Sequence, residues 1–131
     1  MKKQHAEHNE KVCSFLFKEN KYHDWVVTTA FYSALHFVQY EVFPLKLDSV
    51  TYQSFESYYN GHFKDIKNKP NRHVATINLT HAHIDGDAGE IYKWLHDTCR
   101  TARYRNFETS PDVAKLSKER LSELKEYLFK K

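Results

Sequence analysis

Trp25-Val-Val-Thr-Thr-Ala-Phe-Tyr-Ser-Ala-Leu-His-Phe-Val-Gln-Tyr40 runs sixteen residues without a charge, a glycine or a proline, in a chain where 28% of residues are charged. Such a run reads as the central buried helix of an all-α bundle. At about 100° per residue, Trp25, Thr29, Tyr32, His36, Gln39 and Tyr40 fall on one stripe. Val26, Val27, Ala30, Phe31, Ala34, Leu35, Phe37 and Val38 fill the remainder. One helix therefore carries both core and a polar seam. A buried hydroxyl, imidazole or amide costs roughly 1–3 kcal/mol if unpaired, so the seam is expected to face a second helix, a second subunit or a ligand.

Outward from this run, the pattern stays helical. Residues 3–19 read as a first helix, with Val12, Phe15, Leu16 and Glu19 at helical spacing and Asn20 near its end. The long helix covers about 22–43 and stops at Pro44, and residues 44–48 read as a connector. Ser49 or Thr51 is the expected cap of a third helix, whose aromatic face is Tyr52, Phe55, Tyr58, Tyr59 and Phe63. Lys67-Asn-Lys-Pro-Asn71 is the expected mobile loop. Asn71 caps a short helix through Val74, Ile77 and Leu79, which ends around Asp85-Gly-Asp87.

The next helix, about 88–105, buries Ile91, Leu95, Thr98 and Ala102. Between about 120° and 200° from Ile91 stand Lys93, His96, Arg100 and Arg103, a basic stripe. It reads either as a solvated outer face or as a phosphate-binding face, and the aromatics Tyr92, Trp94 and Tyr104 nearby favour binding, since stacking on bases accompanies such charge. Ser110-Pro-Asp112 supplies a cap, a first-turn proline and an acid against the helix dipole. The last helix follows with Val113, Leu116, Leu121, Leu124 and Leu128, and the chain has no internal repeat.

Composition bounds the class. A chain of 131 residues reads as one domain, 1–131, long enough to bury a core without metal or disulfide staples. Three glycines and three prolines are too few for a sheet protein with many tight turns. Cys13 and Cys99 lie far apart, without a signal-peptide pattern, which reads as a reduced cytoplasmic protein. The uncharged run is short for a membrane span and contains Thr, Ser, His and Gln, so no membrane role is expected. A net charge of +3 does not by itself argue for nucleic acid, but residues 100–131 hold nine Lys or Arg against five Asp or Glu, a local excess of four.

The segment Thr80-His-Ala-His-Ile-Asp85 resembles the metal-binding start of metallo-β-lactamase-type hydrolases, but the chain lacks that fold's length, strands and further ligands. His81, His83, Asp85 and Asp87 therefore read as a solvated turn, and no metal or other cofactor is expected. His36, in a seam of Thr and Tyr, reads as a hydrogen-bonded core residue rather than a general base.

Tyr22-His-Asp-Trp-Val-Val-Thr-Thr-Ala-Phe-Tyr-Ser-Ala-Leu-His36, followed by Asn71-Arg-His73, Tyr92 and Ala102-Arg-Tyr104, resembles the HEPN superfamily of small helical domains. The resemblance implies an up-and-down bundle of four to five helices that dimerises through its long helices, in prokaryotic toxin–antitoxin or defence systems. It also implies a homodimer or a nucleotidyltransferase-like protein partner. Many members are metal-independent ribonucleases whose motif is an Arg, commonly a polar residue, four to six intervening residues and a His, with two copies meeting across the dimer. Here Arg105-Asn106 begins such a motif, but Ser110, Pro111 and Asp112 stand where the His should fall. No histidine follows His96, so Arg100 and Arg103 also lack one, while Arg72 has His73 adjacent and His81 too distant. Without an imidazole to move a proton, cleavage loses roughly 10²–10⁴-fold.

The sequence thus points to a HEPN-like binding module that holds RNA or a nucleotide phosphate through His96, Arg100, Arg103, Tyr104, Arg105 and His73. Trp25, Thr29, Tyr32, His36 and Tyr40 form its polar seam. The alternatives are an atypical ribonuclease using His73 or His96 with Arg103, and a purely structural dimerisation module. Catalytic residues are not assigned.

Overall fold

The uncharged run is helical throughout, inside α2 (His23–Val42). In the computed structural model, which describes residues 3–104 and 109–129 and Tyr104 by its backbone alone, α1 (Lys3–Glu19) precedes it. The two are separated by a tight break. Asn20 turns left-handed at φ 56°, its N–H reaching the Phe17 carbonyl at 3.0 Å and that of Lys21 the Leu16 carbonyl at 3.5 Å. This is the Schellman closure of a helix end, with Asn in the place that glycine usually takes.

Side-chain pairs give the helix directions. Cys13 lies against the Val26 carbonyl and Ser33 Oγ donates to the Ala6 carbonyl at 2.8 Å, so α1 and α2 are antiparallel. In α6 (Pro111–Leu128), Lys125 pairs with Glu10 and Lys118 lies over Phe17, so α6 also opposes α1. In α5 (Gly86–Tyr104), Arg103 lies over Trp25 and His96 meets Phe31, so α5 opposes α2. α4 (Arg72–His83) opposes α5, with His73 beside His96 and His81 beside Glu90. α2 packs on α1, α5 and α6, which explains a helix without a charged outer face. Val26, Val27, Ala30, Phe31, Ala34, Phe37 and Val38 are all buried.

The all-α reading holds, with differences. The described residues hold six helices rather than four to five, and the bundle is not strictly up-and-down. α2 and α4 point the same way, so residues 43–71 must return along the bundle. A hairpin, β1 (Leu45–Leu47) with β2 (Val50–Tyr52), and α3 (Phe55–His62) make that return. The hairpin replaces the expected connector and helix start. Asp48 and Ser49 sit at φ 49° and 71° between strands paired Leu47 to Val50, the geometry of a two-residue primed turn. α3 is capped by Ser54 rather than Ser49 or Thr51, with Ser54 and Ser57 satisfying each other's backbone N–H. Beyond α3, the Tyr59 hydroxyl donates to the Pro70 carbonyl at 2.8 Å, tying down the expected loop.

Two faces are rotated from their expected places. α1 buries Ala6 and Cys13, small residues that let it approach α2, while Phe15 is 63% exposed. α5 buries Ala88, Tyr92, Leu95, Cys99 and Ala102, leaving Ile91 and Thr98 at the edge. Its apolar face is thus turned by roughly 60° from the one centred on Ile91. No helix among the described residues is long and apolar enough to cross a membrane.

Candidate phosphate-binding cleft

The rotation of α5 decides where its basic stripe goes. With the core face centred near Ala88 and Cys99, Arg103 and His96 stand at about 60–80° from it and Arg100 at about 120°. They therefore flank the packed face instead of opposing it. The result is a cleft of about 410 Å³ between α2, α5 and the start of α4, lined by Trp25, Thr28, Phe31, Tyr32, His73, His96, Cys99, Arg100 and Arg103. That volume is within the range of small-molecule sites.

Each wall has a local cause. Asn71, extended at φ −69° and ψ 170°, caps α4 by accepting the Val74 N–H at 2.9 Å, which fixes the first turn carrying His73. Phe31 is buried and meets the rings of Tyr32, His73, Tyr92 and His96 at 5.3–6.0 Å between centroids, forming the cleft's floor. The imidazoles of His73 and His96 are 4.0 Å apart. The Arg103 guanidinium lies 4.2 Å from the Trp25 ring, a cation–π pair with both groups at the mouth.

The electrostatics are one-sided. Among the described residues no carboxylate lines the cleft, and neither Arg100 nor Arg103 is in an ion pair. Asp97, on the rim of α5, lies 3.1 Å from His96 Nδ1 and 3.9 Å from Lys93. An Nδ1–H held there leaves Nε2 of His96 as the free nitrogen. Burial, then His96, then Arg100 hold the His73 imidazole below its ordinary 6.5. His73 is accordingly neutral at pH 7. Burial likewise pushes the Cys99 thiol up, against the lowering pull of Thr28 and Arg103, so it remains an unreactive thiol. Larger grooves carry the opposite sign: one of about 580 Å³ is lined by Glu123, Glu126, Tyr127 and Phe129.

The structure brings together four of the six expected phosphate-site residues: His73, His96, Arg100 and Arg103. The Tyr104 side chain and Arg105 lie outside the described residues. Lys93 leaves the group for Asp97. Two of the three aromatics expected to help lie elsewhere. Tyr92 is fully buried in the core, and Trp94 lies beside Arg120 at 5.8 Å. Trp25 and Tyr32 take their place, with Phe31, Thr28 and Cys99 as further lining that the sequence did not single out.

The seam of α2 divides. Thr29 is buried and satisfied within its helix, its hydroxyl donating to the Trp25 carbonyl at 2.7 Å, so it needs nothing from outside. His36 meets the His5 ring at 5.4 Å, and burial followed by His5 lowers its pKa. Tyr40 is exposed with Lys3 near its ring. Trp25 and Tyr32 open into the cleft.

Compared with protein-family models, curated proteins and solved structures, the chain finds no match in any of the three. Its chemistry therefore rests on its own side chains.

The segment from Thr80 to Asp85 is no extended ligand strand. His81 and His83 are helical, the His81 ring lies over Gly89 and pairs with Glu90 at 3.0 Å, and Asp85 accepts the Asp87 N–H at 2.7 Å. Among the described residues no group of three or more His, Cys, Asp or Glu is placed to hold a metal ion.

Proposed function

We propose that this chain is a HEPN-like helical module that binds RNA or a nucleotide by its phosphate, working as a homodimer or against a nucleotidyltransferase-like partner. The observation that carries the reading is the meeting of Arg100, Arg103, His73 and His96, from two helices, in one cleft that no carboxylate among the described residues lines. Guanidinium groups are the usual partners of phosphate oxygens, and two of them one helical turn apart offer a bidentate grip. The test is a shift assay with labelled RNA. Binding is expected to fall steeply with salt, and Arg100→Ala and Arg103→Ala to flatten that dependence. No shift at low salt overturns the reading.

A second reading has its own support. With Asp97 at Nδ1 of His96 and His73 in ring contact, the cleft holds an oriented imidazole pair beside two arginines, which is the material of metal-independent phosphodiester cleavage. RNA degradation that survives EDTA and is abolished by His96→Ala or His73→Ala favours this enzyme. Intact RNA under conditions that saturate binding excludes it.

A further inference from the structure

The cleft has two chemically different sides. α5 contributes cations, and α2 contributes ring faces: Trp25 is 43% exposed and Tyr32 46% exposed, both opening into the same space as Arg100. Because α2 and α5 are antiparallel, the order is fixed. Trp25 is level with Arg103, which already covers its ring, whereas Tyr32 lies at the histidine end, tilted at 59° against Phe31. Trp25 and Tyr32 are seven positions apart, or about 10 Å along a helix. Tyr32 is thus the aromatic face left open, with Arg100 and Arg103 between it and the far end of the cleft.

Phosphate alone has no use for such a wall. A phenol ring left nearly half open in a cleft whose two guanidinium groups have no ion-pair partner among the described residues suits a ligand that is anionic at one end and flat at the other. A base inside a duplex has both faces covered by its neighbours, so the wall gains only from an unstacked base.

Resting on the phosphate-binding reading, we infer that the cleft takes one unstacked nucleotide, its base against Tyr32 and its phosphate on Arg100 and Arg103, so that the ligand is single-stranded rather than duplex. The nucleotide comes either from an RNA strand or as a free mononucleotide, and the chemistry recognised is the same.

The experiment compares a labelled single-stranded oligoribonucleotide with the same strand made abasic, with its duplex, and with a nucleoside monophosphate as competitor. The parent strand is expected to bind about 5- to 150-fold tighter than the abasic strand, the range that base–aromatic stacking supplies. Tyr32→Leu, at an exposed position that tolerates the change, closes that gap. Phe15→Leu on the outside of α1 leaves it open. Arg100→Ala with Arg103→Ala weakens parent and abasic strands alike. Competition by the monophosphate at the strand's own affinity identifies a free nucleotide as the source, and weaker competition identifies the strand. Equal binding of parent and abasic strands overturns the inference while the arginine effect keeps phosphate binding. Tighter binding of the duplex also overturns it. If no probe binds at low salt, the phosphate reading itself falls.

Discussion

His73 at the start of α4 and His96 in the middle of α5 place their imidazole rings 4.0 Å apart, tilted by 38°, with Arg100 close enough to disfavour a proton on His73. Burial and His96 lower the His73 pKa more than Arg100 does, but a bound phosphate offsets the arginine's share and itself favours an imidazolium beside it, so binding takes up part of a proton. Affinity for a phosphodiester strand, whose own charge is constant in this window, is therefore expected to rise as pH falls from about 7.5 to about 5.5. His73→Gln should flatten the slope while retaining binding at pH 7.5. Titrations across that range check it, and affinity that falls on acidification contradicts the arrangement.

How far the sequence disclosed this pair is instructive. The uncharged run and the caps at Asn71 and Ser110 are local signals, and each is found where periodicity or capping chemistry places it. The hairpin escaped because Asp48-Ser49 reaches positive φ without the glycine that usually announces such a turn. The outward direction of α5 differs from the one that Ile91 suggests because Tyr92 and Cys99, residues of intermediate polarity, are core, while the more apolar Ile91 is edge. That choice turned the helix by about half a face. Above all, the approach of His73 to His96 depends on α4 and α5 packing antiparallel, a tertiary fact with no trace in spacing. The aromatic wall was visible as a seam, but nothing in one helix says that Thr29 closes on its own backbone while Tyr32 stays open.

Arg103 and Trp25 should report on each other. Removing the guanidinium bares the indole, so Arg103→Ala is expected to red-shift the Trp25 emission and to reduce the salt slope of strand binding by about 1. Arg103→Lys keeps a charge but not the planar stack, so the slope should survive and the emission still shift. Trp94→Phe, away from the cleft, isolates the signal. Unchanged emission in Arg103→Ala rules out the stacked pair.

Stability should be bounded by acid and by base for separate reasons. His73 and His36 have lowered pKa values, so the unfolded chain binds protons more readily; their contribution is complete above the ordinary 6.5 and is lost as pH falls below it. Tyr92 is raised by burial, so its contribution is complete below the ordinary 10.0 and is lost as pH rises past it. Urea midpoints are expected to be flat between about pH 7 and 9 and to fall on either side. The double variant His36→Gln, His73→Gln should extend the plateau on the acid side. A midpoint that rises below pH 6 contradicts the direction of both shifts.

Two helix caps separate fold from site. The Asn71 side chain accepts the Val74 N–H at 2.9 Å and the Ser110 hydroxyl accepts the Val113 N–H at 3.2 Å, so each closes one orphan donor at a helix start. Replacing either by Ala is expected to cost about 1 kcal/mol of stability, read from urea unfolding with an unchanged slope. Their effects on the cleft should differ. Asn71 holds the first turn of α4, two residues before His73, and fraying there moves an imidazole away from His96. Ser110 starts α6, on the side of the bundle that does not line the cleft. Asn71→Ala should therefore weaken strand binding and flatten its pH slope, Asn71→Asp should restore both, and Ser110→Ala should leave both as they are. Equal losses of binding in the two alanine variants would mean that affinity follows global stability, and that the start of α4 has no special part in placing His73.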